Sequence, residues 1–104
     1  GSSLNIDYGK LDYHFTAFIG ILLTKSNRTQ EVLTELASIP NVVEASVISG
    51  KYNIFCKVRA KNTEDAKRII YQIDDIQDVM RTESMISMEE FLSDKNRLIN
   101  AISV

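Results

Sequence analysis

Tryptophan is missing from this chain of 104 residues, while cysteine, histidine and proline each occur once and glycine only four times. A lone cysteine excludes an internal disulfide framework and fits a reducing compartment. One histidine and one cysteine fall short of the ligand set of a structural zinc site, so no metal is expected. The scattered glycines form no loop that could cradle phosphate, and no cofactor signature replaces it. No run reaches the roughly 18 apolar residues of a membrane-spanning helix. Nor does a cationic start lead into an apolar stretch and a small-residue cleavage site. The expected location is therefore cytoplasmic, with no membrane partner. Basic residues number 12 against 14 acidic ones, for a net charge of −2, and they form no block. A domain that grips DNA through its phosphates shows a basic stripe, so DNA contact by these residues is not expected.

What is present is patterned. Hydrophobic residues make up 44% and charged residues 25% of a chain long enough for one core and too short for two. Val42 to Ile48 and Ile54 to Ala60 are β-branched runs flanking Ser49-Gly50-Lys51-Tyr52-Asn53, which reads as a hairpin. Alternation places Val43, Ala45 and Val47 on one face of its first strand, and Ile54, Cys56 and Val58 on one face of its second. Phe15 to Leu23 is apolar at nearly every position, as in a strand covered on both sides, with Gly20 marking a bulge or a close approach. Asn27 with Gln30 approximates a capping box before an amphipathic helix carrying Val32, Leu33, Leu36 and Ala37. Pro40 ends that helix. Asn62 or Thr63 caps a second one with Ala66, Ile69, Ile70 and Ile73 inward. Val79 to Met88 is a last strand, with Met80, Thr82, Ser84 and Ile86 on one face and Val79, Arg81, Glu83 and Met85 on the other.

This order predicts an α+β, ferredoxin-like βαββαβ sandwich: a four-stranded antiparallel sheet with two helices on one face. Glu89 to Val104 adds a C-terminal helical extension, with Phe91, Leu92, Leu98, Ile99 and Ile102 at helical spacing. Two helices cover only one side of the sheet, yet Phe18, Leu22 and Phe55 fall on the other. A patch of that kind is unusual on a monomer and predicts a homodimer joined through the open face.

Catalytic constellations are absent from the pattern. His14 has no serine or cysteine close in sequence, and Asp74-Asp75 reads as a solvated helix end. Cys56, mid-strand, reads as a small core residue. Small polar groups remain at strand ends: Gly50, Tyr52 and Asn53 in the hairpin loop, Thr82 and Ser84 on the last strand. Their hydroxyls, amide and backbone N–H groups suit a small zwitterion, and equally suit ordinary turn and edge positions.

The succession FTAFIGILL, EVLTELASIPNVVEASVISGKYNIFCKVRAKNTEDA and DDIQDVMRTESMIS resembles the effector-binding domain of the leucine-responsive regulatory protein/AsnC (Lrp/AsnC) family, also called the regulation-of-amino-acid-metabolism (RAM) domain. Ile39-Pro40-Asn41-Val42, Ser49 to Ile54 and Arg81-Thr82-Glu83-Ser84 carry the resemblance. It implies a non-enzymatic domain that dimerises through its sheet, assembles further into octamers, and binds amino-acid effectors between dimers. By position, Gly50, Lys51, Tyr52 and Asn53 would line one side of that site. Thr82 and Ser84 would line the other, with the loop at Gln77 and Asp78 nearby. The family commonly has aspartate at Asn53 and threonine at Ser84, and many members carry a proline-glycine pair at Gln77-Asp78. Losing the carboxylate at Asn53 removes a charge-assisted acceptor for an ammonium group.

Gly1-Ser2-Ser3 has the look of an expression scar. Residues 4–13 resemble the strand linking this domain, here 14–88, to an N-terminal helix-turn-helix domain through which the parent would reach DNA. A free-standing assembly module with a decayed effector site is the main alternative. A small dimeric ferredoxin-like cofactor-free monooxygenase is a weaker one, since it needs acid–base groups between sheet and helices that this chain lacks.

Overall fold

The computed structural model describes residues 12–93 and 96–102. Four strands, β1 (Phe15–Leu23), β2 (Val42–Val47), β3 (Ile54–Ala60) and β4 (Val79–Ile86), pair antiparallel in the order β2-β3-β1-β4. Helix α1 (Thr29–Ala37) joins β1 to β2, and α2 (Thr63–Asp74) joins β3 to β4. This is the expected ferredoxin-like arrangement, with β1 and β3 central. The scar and nearly all of the 4–13 linker lie outside the described residues.

Both helices seal one face. Ile19 and Ile21 of β1, Ile54, Cys56 and Val58 of β3, Val32 and Leu36 of α1, and Ile69 and Ile73 of α2 form one buried cluster, with Ile39 tucked beneath the end of α1. The nine aliphatic side chains among these, removed from water at about 1.5–3 kcal/mol each, supply the main drive for this layer. The second helix is capped as expected. The Asn62 side chain accepts a 2.9 Å hydrogen bond from the Asp65 N–H, and Glu64 and Asp65 occupy the first turn.

Several local expectations are corrected. A 3-10 turn (Ser26–Arg28) precedes α1, and no side chain caps either element, so the Asn27–Gln30 box does not form. Thr29 instead donates its hydroxyl to the Ser26 carbonyl at 2.6 Å. A register shift between Val42 and Glu44 turns Val42, not Val43, onto the core side opposite Val58. A second shift, between Leu22 and Leu23, makes Met80 the extra residue of β4. Val79 therefore joins Thr82, Ser84 and Ile86 on the helix side. The last helix, α3 (Arg97–Ile102), is shorter than expected and leaves Phe91 and Leu92 outside it.

Gly20 marks a close approach, by a ring and not by another backbone. A Cβ at that position would lie 2.8 Å from the Tyr52 ring. Tyr52 therefore lies flat across the central strand on the open face. Phe18, Leu22 and Phe55 are on that face, as expected, with the Phe18 and Phe55 rings stacked at 5.9 Å. Glu44, Ser46, Lys57 and Arg59 flank them on one side, and Arg81, Glu83 and Met85 on the other.

Candidate functional site

Antiparallel pairing brings the end of β1, the hairpin loop and the start of β4 to one end of the sheet. Asn53 is the joint there. Its N–H donates to the Ile21 carbonyl at 2.9 Å, and its side-chain Oδ1 accepts from the Leu23 N–H at 2.9 Å. The side chain thus extends the β1–β3 ladder by one rung past the point where the backbones diverge. Its carbonyl also accepts from the Ile48 N–H at 3.1 Å, closing the loop. Gly50 at the tip has φ +112°, with nothing within 4 Å of where a Cβ would stand. The tip therefore requires glycine for its backbone and leaves open space around it. The Lys51 ammonium stands 5.7 Å from the Tyr52 ring centroid.

One residue beyond Leu23, the Thr24 N–H donates to the Asp78 carbonyl at 2.9 Å and its hydroxyl to Asp78 Oδ1 at 3.3 Å. Arg28 Nε donates to Asp78 Oδ2 at 2.9 Å. The hydrogen bond to Asp78 is the leading cause of the raised Arg28 pKa. Asp78 holds φ at +74°, a left-handed conformation that an aspartate tolerates when its carboxylate is tied down. Gln77 is exposed beside it. Both line an open groove of about 500 Å³ between α1 and the end of α2, bordered also by Arg28, Glu31 and Asp75.

The structure gathers some of the candidate residues and separates others. Gly50, Lys51, Asn53, Gln77 and Asp78 share the loop end, with Asn53 and Asp78 linked through the consecutive residues Leu23 and Thr24. Tyr52 turns onto the open face. No partner completes a hydrogen bond to its buried hydroxyl. Proximity to the Glu83 carboxylate, short of a well-formed bond, is the main influence raising the phenol's pKa, ahead of burial. Thr82 and Ser84 lie on the helix side, opposite Ile21 and Ile19. Thr82 donates to Asp74 Oδ1 at 2.7 Å, and Ser84 is exposed at the edge. Tyr52 and the Thr82–Ser84 pair thus occupy opposite faces of one subunit's sheet.

Thr24, Arg28 and Asp74 hold this end together; the first two were not singled out from sequence, and Asp74 was read only as part of a solvated helix end. The only signal was weak: Arg28 reads as part of a solvated helix face, and nothing local announces its contact with Asp78, 50 positions on. Among the described residues no group of His, Cys, Asp or Glu is placed to hold a metal ion. No described helix is long and apolar enough to cross a membrane.

The family model for the Lrp/AsnC ligand binding domain matches residues 16–96. The chain is 34% identical over 90 residues to the regulatory protein AsnC of Haemophilus influenzae, covering 86% of this chain and 60% of that one. It thus spans about three-fifths of the length of the curated relatives it matches. Among solved structures, Escherichia coli AsnC superposes with a TM-score of 0.85 at 27% identity, covering 91% of this chain and 64% of that chain. The feast or famine regulatory protein from M. tuberculosis, complexed with L-methionine, shares the fold at a TM-score of 0.79 and 22% identity, covering 91% of this chain and 64% of that chain. The matched region takes in all four strands, both packed helices and the loop end just described, and the chain belongs to the Lrp/AsnC family through its ligand-binding domain.

Proposed function

We propose that this chain is the amino-acid-sensing and assembly domain of a cytoplasmic, non-enzymatic Lrp/AsnC-type transcriptional regulator. The observation that carries this reading is the loop end of the sheet, where Gly50, Lys51 and Asn53 stand beside Gln77 and Asp78 within the family-matched region. Two chains pack through Phe18, Leu22 and Phe55, and dimers assemble further, up to an octamer. Thr82 and Ser84 of one dimer then approach the hairpin loop of another. That division between subunits is supported by the separation of Tyr52 from Thr82 and Ser84 onto opposite faces of one subunit. The ligand's carboxylate is received by backbone N–H groups at the loop tip and by Lys51, and its ammonium by hydroxyls and carbonyls. In the longer parent, a ligand that binds one arrangement of dimers better than another shifts DNA binding by an N-terminal helix-turn-helix domain.

A panel of the amino acids in a thermal unfolding assay tests the reading. A ligand present at 100 times its dissociation constant stabilises by about 2.7 kcal/mol. Gly50→Val removes that shift by forcing a β-branched residue into a left-handed position. No shift with any amino acid sinks the sensing function. One observation favours the second reading, an assembly module with a decayed site: Asn53 Oδ1 is already engaged by the Leu23 N–H, where the family's aspartate has a charged second oxygen to offer. Asn53→Asp that creates an amino-acid response absent from the wild type would identify that module.

A further inference from the structure

The segment after β4 carries Met88, Phe91, Leu92, Leu98, Ile99 and Ile102, and all six are exposed, Met88 by 92% and Phe91 by 89%. Leu98, Ile99 and Ile102 share one side of α3, which buries none of its own residues. So much apolar surface in one short segment marks an interaction site.

The path of the segment identifies its partner. The Ser87 N–H still donates to the Thr16 carbonyl at 3.0 Å, in the plane of the sheet. Three residues on, the Glu90 carboxylate lies 3.8 Å from Arg59 Nη2 and 4.0 Å from Lys57 Nζ. Lys57 and Arg59 project from the open face, since they pair with Phe18 and Thr16 in the β1 register. The acidic run Glu89-Glu90 is thus held over the basic corner of the open face, away from the helices. Anything laid against that face meets this segment at its edge. Area points the same way: four strands about 4.8 Å apart and about seven residues long span a plane of about 440 Å². A standard stable interface takes about 800 Å² of accessible surface from each partner, so a face of that extent gains from added contact at its rim.

We propose that the described residues 88–93 and α3 belong to an arm that clasps a second copy of this chain, seating Phe91, Leu92 and the apolar side of α3 on that copy while Glu90 stays anchored to Lys57 and Arg59. The inference rests on the sheet-face dimer proposed above. Each arm reaches over the rim of the paired sheets, and two-fold symmetry makes the clasp reciprocal.

Sedimentation equilibrium on three proteins tests it: the full chain, a chain ending at Ser87, and the full chain with F91S, L92S, L98S and I102S together. The described part of the arm contributes nothing to the buried core, so the unfolding midpoint at low protein concentration should be unchanged, and circular dichroism should lose no more than the helical signal of α3. The expected result is a dimer whose dissociation constant rises at least 30-fold in both altered proteins. Unchanged or tighter dimerisation without the arm overturns the clasp, the latter by showing that the arm shields the face from a second copy. Phe18→Asp separates the two claims. If it leaves association intact, the sheet-face dimer is wrong; if it abolishes association while arm removal does nothing, only the clasp is wrong.

Discussion

Alternate residues of β3 live in different surroundings. Ile54, Cys56, Val58 and Ala60 are sealed under the helices, none more than 1% exposed, whereas Phe55, Lys57 and Arg59 between them are only partly covered. The sealed face is aliphatic apart from the Cys56 thiol. The open face mixes stacked aromatics with long cationic chains, and the Lys57 ammonium stands 6.0 Å from the Phe18 ring centroid. A face finished by its own chain needs only volume to be filled. A face that its own chain leaves uncovered must remain compatible with water, and carrying ammonium and guanidinium groups beside the rings achieves this.

The contrast is easiest to break in the core. Ile21→Ala should lower the unfolding free energy by about 2–5 kcal/mol through lost burial and the cavity left behind. Leu22→Ala, one residue along and on the other face, should lower it by less than half as much in dilute urea titrations, where the monomer dominates. Equal losses would erase the distinction between the faces.

Next in size is Gly20→Val, which drives a side chain into the Tyr52 ring on the open face and should cost about 1–3 kcal/mol. Combining it with Tyr52→Ser should recover much of that loss in the same titration. If it does not, backbone conformation and not the ring dictates glycine there.

A third test uses the thiol. Burial pushes the Cys56 pKa from 9.0 up to about 12. The folded state therefore keeps its proton when the unfolded chain has lost it. This contribution is whole below about pH 9 and is lost as pH rises towards 12, by about 1.4 kcal/mol per pH unit. The gap between wild type and Cys56→Ala should shrink by about 1 kcal/mol over the first unit above pH 9 and by about 1.4 kcal/mol over the next. A gap that stays constant would mean the thiol ionises in place.

The smallest effects sharpen the comparison. Val47 and Ile86 lie on the helix side but at the two edge strands, where they are 60% and 43% exposed. Val47→Ala and Ile86→Ser should each move stability by no more than about 0.5 kcal/mol. A larger loss would show that side of the sheet, and not helix coverage, decides a residue's worth.

The architecture was legible because period-2 alternation and amphipathic stripes are local signals, read within a few residues of themselves. Asn62 announced its cap for the same reason. The two register shifts were not legible. A bulge changes which face Val42 and Val79 occupy without changing the alternation on either side, and it is decided by the partner strand. Asn27 failed as a cap because the chain enters α1 through a 3-10 turn, so the helix starts after the capping residue. At the candidate site, glycine at position 50 was readable from turn chemistry. The attachments of Asp78 to Arg28 and of Thr82 to Asp74 were not, because each joins residues brought close only by the fold. Gly20 drew notice as an interruption, but the ring that explains it lies across the sheet.

That ring has a consequence for how this sequence can drift. Positions 20 and 52 share one small volume, so position 20 cannot gain a side chain while the aromatic stands at 52. A lineage that gains a side chain at the first must already have shed the aromatic at the second. In a library randomised at both positions and selected for folded protein, the survivors should either keep glycine at 20 or pair a larger residue there with a small one at 52. Mixed pairs of two large residues should be missing.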